Sequence, residues 1–185
     1  MKDTIRVLGI SGSLRQASWN TIALKAAQKL APAGMAIEIA EIRDMPFYDG
    51  DVEAVGLPAS VVAFREKVRT ADALLIASPE YNASVSGVLK NAIDWASRPP
   101  NQPIDGKPIA IFGTSPGATG TIRGQAHLRQ ILGNLNGLVL VTPVVAIGNA
   151  PQRFDADANI TDEATRNFVA GMLTKLVDWT RRLTA

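Results

Sequence analysis

The stretch SGSLRQASWN, residues 11–20, places Ser11, Ser13, Arg15, Ser18 and Asn20 directly behind the apolar run IRVLGI. These residue types suit an anion. Backbone N–H groups at the start of a helix are unpaired and sit at the positive end of its dipole. Serine hydroxyls and the asparagine amide add neutral donors, and Arg15 adds a permanent, forked cation. The spacing is not the dinucleotide fingerprint, because no third glycine follows Gly9 and Gly12 before the helix. Nor is it a P-loop, because no lysine follows a glycine at the required distance. A single terminal phosphate therefore fits better than a triphosphate. The competing reading makes Ser18 a helix cap and the rest a polar turn.

A second set lies in PEYNASVS, residues 79–86. Pro79 stops a strand. Tyr81 offers an aromatic face, and Asn82, Ser84 and the backbone offer hydrogen bonds, a set suited to a flat heteroaromatic ring held edge-on. Glu80 is read as a backbone-positioning residue. Alternatively the segment is an ordinary turn with Tyr81 in the core. The rest of the chain narrows the chemistry. With no cysteine, disulfides, thiol catalysis, iron–sulfur clusters and thiolate zinc are excluded. The single histidine, His127, lies at the edge of a helical stripe of Leu128, Ile131, Leu132 and Leu135, which suggests a surface or interface role. Lys90 and Asp94, four apart, read as a solvated or interfacial pair.

The elements that must position these residues follow from apolar runs rich in β-branched side chains: 4–10, 36–42, 71–78, 108–114 and 138–147. They alternate with helical patterns over about 19–31, 58–70, 86–97, 121–136 and 162–183. Several runs are almost wholly apolar, as strands covered on both faces must be. In the last helix Phe168, Met172, Leu176 and Leu183 recur at helical spacing. Five strands alternating with five helices predict an α/β fold, a doubly wound parallel sheet consistent with the order 2-1-3-4-5 and with helices on both faces. In such sheets ligands bind beyond the carboxyl ends of the strands. The loops predicted there are 11–18, 79–86 and 115–121 (SPGATGT), all rich in Gly, Ser, Pro or Asn.

A chain of 185 residues with 46% apolar content is expected to form one domain over 1–185 with a sizeable core. The net charge of +2 arises from interspersed charges with no basic block, so no nucleic-acid partner is expected. No apolar segment reaches 18 residues and the N-terminus does not read as a signal peptide, so no membrane partner and a cytoplasmic location are expected.

The combination of GSLRQASWN, PEYNASVSGVLKNAIDW and GTSPGATGTIRGQAHLRQIL closely resembles the NADPH-dependent FMN reductase family, whose members include flavodoxin-like quinone, azo-dye and chromate reductases. The resemblance runs over nearly the whole chain. It implies bound FMN, with NAD(P)H as electron donor. The FMN phosphate would lie on Ser11, Ser13, Arg15, Ser18 and Asn20. The ring would lie against Pro79, Glu80, Tyr81, Asn82 and Ser84, and its polar edge would meet Ser115 and Gly117. Hydride would pass from NAD(P)H to flavin, and electrons then to quinones, azo dyes, ferric complexes or chromate, by a ping-pong mechanism. Release of reduced FMN to a partner oxygenase, or a non-enzymatic electron carrier, are the alternatives.

The resemblance also implies a homodimer or homotetramer through the helix at 86–97. That helix has a core stripe of Leu89, Ala92, Ile93 and Ala96. Trp95, well round from it, is expected to face a second copy, with the Pro-rich loop 97–108 of one copy bordering the cleft of the other.

Overall fold

The computed structural model describes residues 3–184. A parallel sheet is built from β1 (Ile5–Ser11), β2 (Met35–Ala40), β3 (Ala73–Ala77), β4 (Pro108–Thr114), β5 (Leu138–Val139) and β6 (Val145–Ile147). The hydrogen-bonded order is β2-β1-β3-β4-β5, as predicted, and β6 also pairs with β4. Side chains alternate across the sheet, so neighbouring positions enter opposite cores. Val7, Leu75 and Phe112 pack beneath α1 (Trp19–Lys29) and α7 (Glu163–Thr184). Leu8, Leu74, Ile76 and Ile111 pack beneath α3 (Ala59–Thr70), α4 (Gly87–Ala96) and α5 (Ile122–Asn134). Burial on both faces is the reason these strands carry almost no polar residues.

Three expectations are corrected. The run 138–147 is two short strands in one lane: β5 pairs with Pro108 and Ile109, and β6 with Phe112 to Thr114. Pro143 lies in the break, where a residue without an N–H cannot extend the ladder. The buried face of α7 is Val169, Met172, Leu173, Leu176 and Val177, while Phe168 is 55% exposed and Leu183 also reaches solvent. Two short helices, α2 (Gly50–Val55) and α6 (Ala150–Arg153), carry no long apolar period and escaped the sequence pattern.

The third correction concerns Trp95, which is fully buried within this chain. Its indole Nε1–H donates to the Pro46 carbonyl at 2.8 Å, and the Tyr48 ring meets it edge-on at 4.9 Å. Asn91 donates to the same Pro46 carbonyl and accepts from the Tyr48 N–H. Tyr48 O–H and Arg98 both donate to Glu53. The connection between β2 and α3 thus folds over the second side of α4. The helix is buried on two sides by its own chain, and Trp95 presents nothing to a partner.

Candidate active site

The loops after β1, β3 and β4 emerge at one end of the sheet and are bonded to one another. Gly12 N–H donates to the Ala77 carbonyl at 2.8 Å, and Ser86 Oγ–H donates to the Gly12 carbonyl at 2.6 Å. A side chain on Gly12 would collide with Pro79 and Leu89, at 2.8 and 3.0 Å. Glycine here lets the first loop lie flat on the loop after β3. Asn20 ties the first loop to the end of β4: its Nδ2 donates to Thr114 O and its Oδ1 accepts from Thr114 N, both at 3.0 Å.

The first loop keeps the donors expected of an anion cradle. Among the described residues, the N–H groups of Ser13, Leu14, Gln16 and Ala17 have no acceptor. Arg15 is exposed and forms no ion pair there. Ser13 is half-buried and accepts a long bond from Arg15 N–H at 3.4 Å. Ser18 is the N-cap of α1, accepting from Thr21 N–H, so the competing reading of that serine is what its side chain does. Ser11 is buried against Thr21, with 2.8 Å between hydroxyls. Asn20 is buried and its amide is engaged on Thr114, so it locks the cradle together rather than projecting into it. A cavity of about 150 Å³ is lined by Ser11, Ser13, Arg15 and Thr21 on one side and by Glu41 and Arg43 from the exit of β2 on the other. Thr21 and Arg43 were not picked out from the sequence.

Tyr81 to Ser84 form a tight turn closed by two reciprocal backbone bonds of 3.0 Å. Asn82 and Ala83 both have positive φ, 50° and 62°. Asparagine tolerates that region, whereas alanine carries strain there. Tyr81 is 46% exposed, so its ring is a free aromatic face and not part of the core. Asn82 is exposed as well, and Pro79 is buried under the loop.

Glu80 has a role the sequence assigned only to its backbone. Its side chain is 6% exposed and accepts from Arg123 N–H at 2.9 Å, Gly124 N–H at 3.0 Å and Arg123 Nε–H at 2.8 Å. The carboxylate therefore caps α5, which has no capping bond from Thr121. Burial pushes its pKa up, but the Gly124 N–H and the Arg123 donors outweigh it and hold the carboxyl below the ordinary value. Gly124 leaves room for this, since a Cβ there would meet Ser84 O at 3.1 Å. His127, one turn on, is exposed and lies 3.1 Å from Ser84 Oγ through Nδ1. Lys90 and Asp94 pair on the outside of α4, as expected.

In the third loop Ser115 Oγ–H donates to Gly120 O at 2.8 Å, and Gly117 O accepts from Asn149 N–H at 3.1 Å. Gly117 itself is exposed. The Ser115 hydroxyl thus shapes its own loop, while that loop is fixed against the segment after β6. The set as a whole fits a phosphorylated aromatic cofactor: unengaged N–H groups and guanidinium charge at one loop, and an exposed aromatic on a rigid turn at the next. Among the described residues, no group of acidic or histidine side chains could hold a metal ion.

Residues 5–152 match the NADPH-dependent FMN reductase family. The chain is 54% identical to an NAD(P)H-dependent FMN reductase of Pseudomonas aeruginosa, with 99% of both chains covered. It is 40% identical to a quinone reductase of Escherichia coli K12, again with 99% of both covered. Among solved structures, the flavoenzyme NAD(P)H:(acceptor) oxidoreductase FerB of Paracoccus denitrificans superposes with a TM-score of 0.90 at 37% identity, over 97% of this chain and 98% of that one.

Proposed function

Because the chain belongs to the NADPH-dependent FMN reductase family, we propose that it takes reducing equivalents from NAD(P)H through bound FMN and passes them to quinones by a ping-pong mechanism. It is an oxidoreductase that uses FMN and NAD(P)H. The observation that carries the reading is the cross-bonding of three loops at one end of the sheet, which joins a cationic cradle to a rigid turn bearing an exposed tyrosine. The names of the similar quinone reductase and of FerB support a small electron acceptor. Azo dyes, ferric complexes and chromate are further acceptors in the same proposal.

FMN, when bound, supplies the hydride relay between donor and acceptor. The chain's residues bind and orient. Arg15 and the free N–H groups of the first loop hold the phosphate. Pro79, the Tyr81–Ser84 turn and the third loop with Ser115 and Gly117 border the ring. Ser11, Ser18, Asn20 and Glu80 hold those loops in place, Glu80 by anchoring the turn to α5. No side-chain nucleophile is required.

A homo-oligomer remains part of this proposal without Trp95 as its contact. Sedimentation that shows only monomer at micromolar concentration would end that part.

The test of the function is kinetic. Anaerobic NAD(P)H should bleach the bound flavin directly, and double-reciprocal plots against a quinone should be parallel. Flavin that stays oxidised would leave the carrier alternative. Bleaching followed by loss of reduced FMN on gel filtration would instead favour flavin release to an oxygenase.

A further inference from the structure

We propose that Arg43 is a second cation of the FMN phosphate subsite and the latch of its loop. The proposal rests on the FMN reading above. Arg43 follows β2, and the 2-1 strand order brings the exit of β2 beside the exit of β1. Its Nη2 donates to the Leu14 carbonyl in the middle of the first loop. Its side chain lines the same cavity as Arg15, Ser11, Ser13 and Thr21. Glu41 also lines that cavity and Asp44 follows Arg43 directly, yet neither forms an ion pair with it among the described residues. Two guanidinium groups thus flank one small cavity with no carboxylate bonded to either, beside backbone donors that also lack acceptors. A phosphomonoester dianion is the ligand such a site takes.

The placement of Arg43 is built in. Ile42 on one side is buried in the core beneath α3 and α4. On the other side the Pro46 carbonyl is held twice, by Asn91 and Trp95. The guanidinium therefore projects from a short strut fixed at both ends, which lowers the entropy lost when it closes on an anion. One nitrogen secures the loop through Leu14, and the remaining N–H groups stay available to the cavity.

The experiment measures flavin binding to apoprotein by fluorescence quenching, independent of turnover. FMN and riboflavin, which lacks the phosphate, are compared on wild type, Arg43→Ala, Arg43→Lys and Arg15→Ala. Arg43 is exposed, so its Ala variant should weaken FMN by about five- to tenfold and riboflavin by less than about twofold. Arg43→Lys should recover part of the loss, because it keeps the charge without the fork. If Arg43→Ala leaves FMN unchanged while Arg15→Ala still selects against FMN, the role of Arg43 is overturned and the phosphate reading stands. If Arg15→Ala weakens both flavins equally, the phosphate reading itself fails. Equal losses of FMN and riboflavin in Arg43→Ala would reduce Arg43 to a loop brace. A rise in KM for NADPH but not NADH, with FMN binding intact, would assign the cation to the nucleotide and overturn the proposal.

Discussion

Removal of the Glu80 carboxylate tests whether one buried acid holds the Tyr81–Ser84 turn to α5. In Glu80→Ala two backbone N–H groups, of Arg123 and Gly124, lose their acceptor at the start of a 13-residue helix. Losing such a cap costs about 1–2 kcal/mol. The Arg123 guanidinium is largely exposed, so its ion pair adds only about 0.5 kcal/mol. The total is about 2 kcal/mol, or a fall in Tm of roughly 4–8 °C for a chain of this size. Glu80→Gln keeps one acceptor oxygen and should lose about half as much. The pH dependence has a definite sign. The folded pKa of Glu80 lies below its ordinary value, so its contribution is fully present above the ordinary carboxylate range and is lost as pH falls through the folded value. The Tm gap between wild type and Glu80→Gln should therefore be widest near neutrality and close in acid. FMN affinity should fall together with Tm, because Tyr81 to Ser84 follow Glu80 directly. Thermal scans at several pH values and flavin titrations measure all three. A Glu80→Ala protein within 1 °C of wild type, or a gap that widens in acid, would refute the reasoning.

Other substitutions probe the remaining parts. Arg15→Ala should weaken FMN about ten- to a hundredfold by loss of a bond to a charged group, while riboflavin binding barely changes; titration of both flavins decides. Gly113→Ala should fail to give soluble folded protein, because its Cβ would sit 2.2 Å from Ser78 O and from Thr121 Oγ1; recovery with an unchanged Tm would contradict that contact. Ala83→Gly should raise Tm by roughly 1–4 °C by relieving a positive φ at about 0.5–1 kcal/mol, and a lowered Tm would show that the turn is not strained. His127→Ala should keep most of the quinone turnover, since its imidazole bonds a loop serine at the surface; a hundredfold loss in kcat would give it a part in the chemistry.

The alternating strands and helices, the two-faced core and the three loops at one sheet end were legible in the sequence, because they depend on local pattern; the strand order was only consistent with it, because pairing joins segments distant in the chain. Apolar β-branched runs identify buried strands, and Gly, Ser and Pro mark where they end. The exposed Arg15 and the unengaged N–H groups of the first loop were legible for the same reason: they are neighbours in the chain. What only the tertiary structure decided are partnerships between distant residues. Trp95 looked exposed on a helical wheel, yet Pro46 and Tyr48, nearly fifty residues away, cover it. Asn20 read as a ligand donor, but its amide meets Thr114. Glu80 read as a backbone spacer, and α5 claims its carboxylate. Arg43 carried no motif, because its place beside Arg15 comes from two parallel strands lying next to each other. Periodicity records which way a side chain points from its own element. It holds no record of what another segment places there, and polar groups are satisfied by whatever that segment brings.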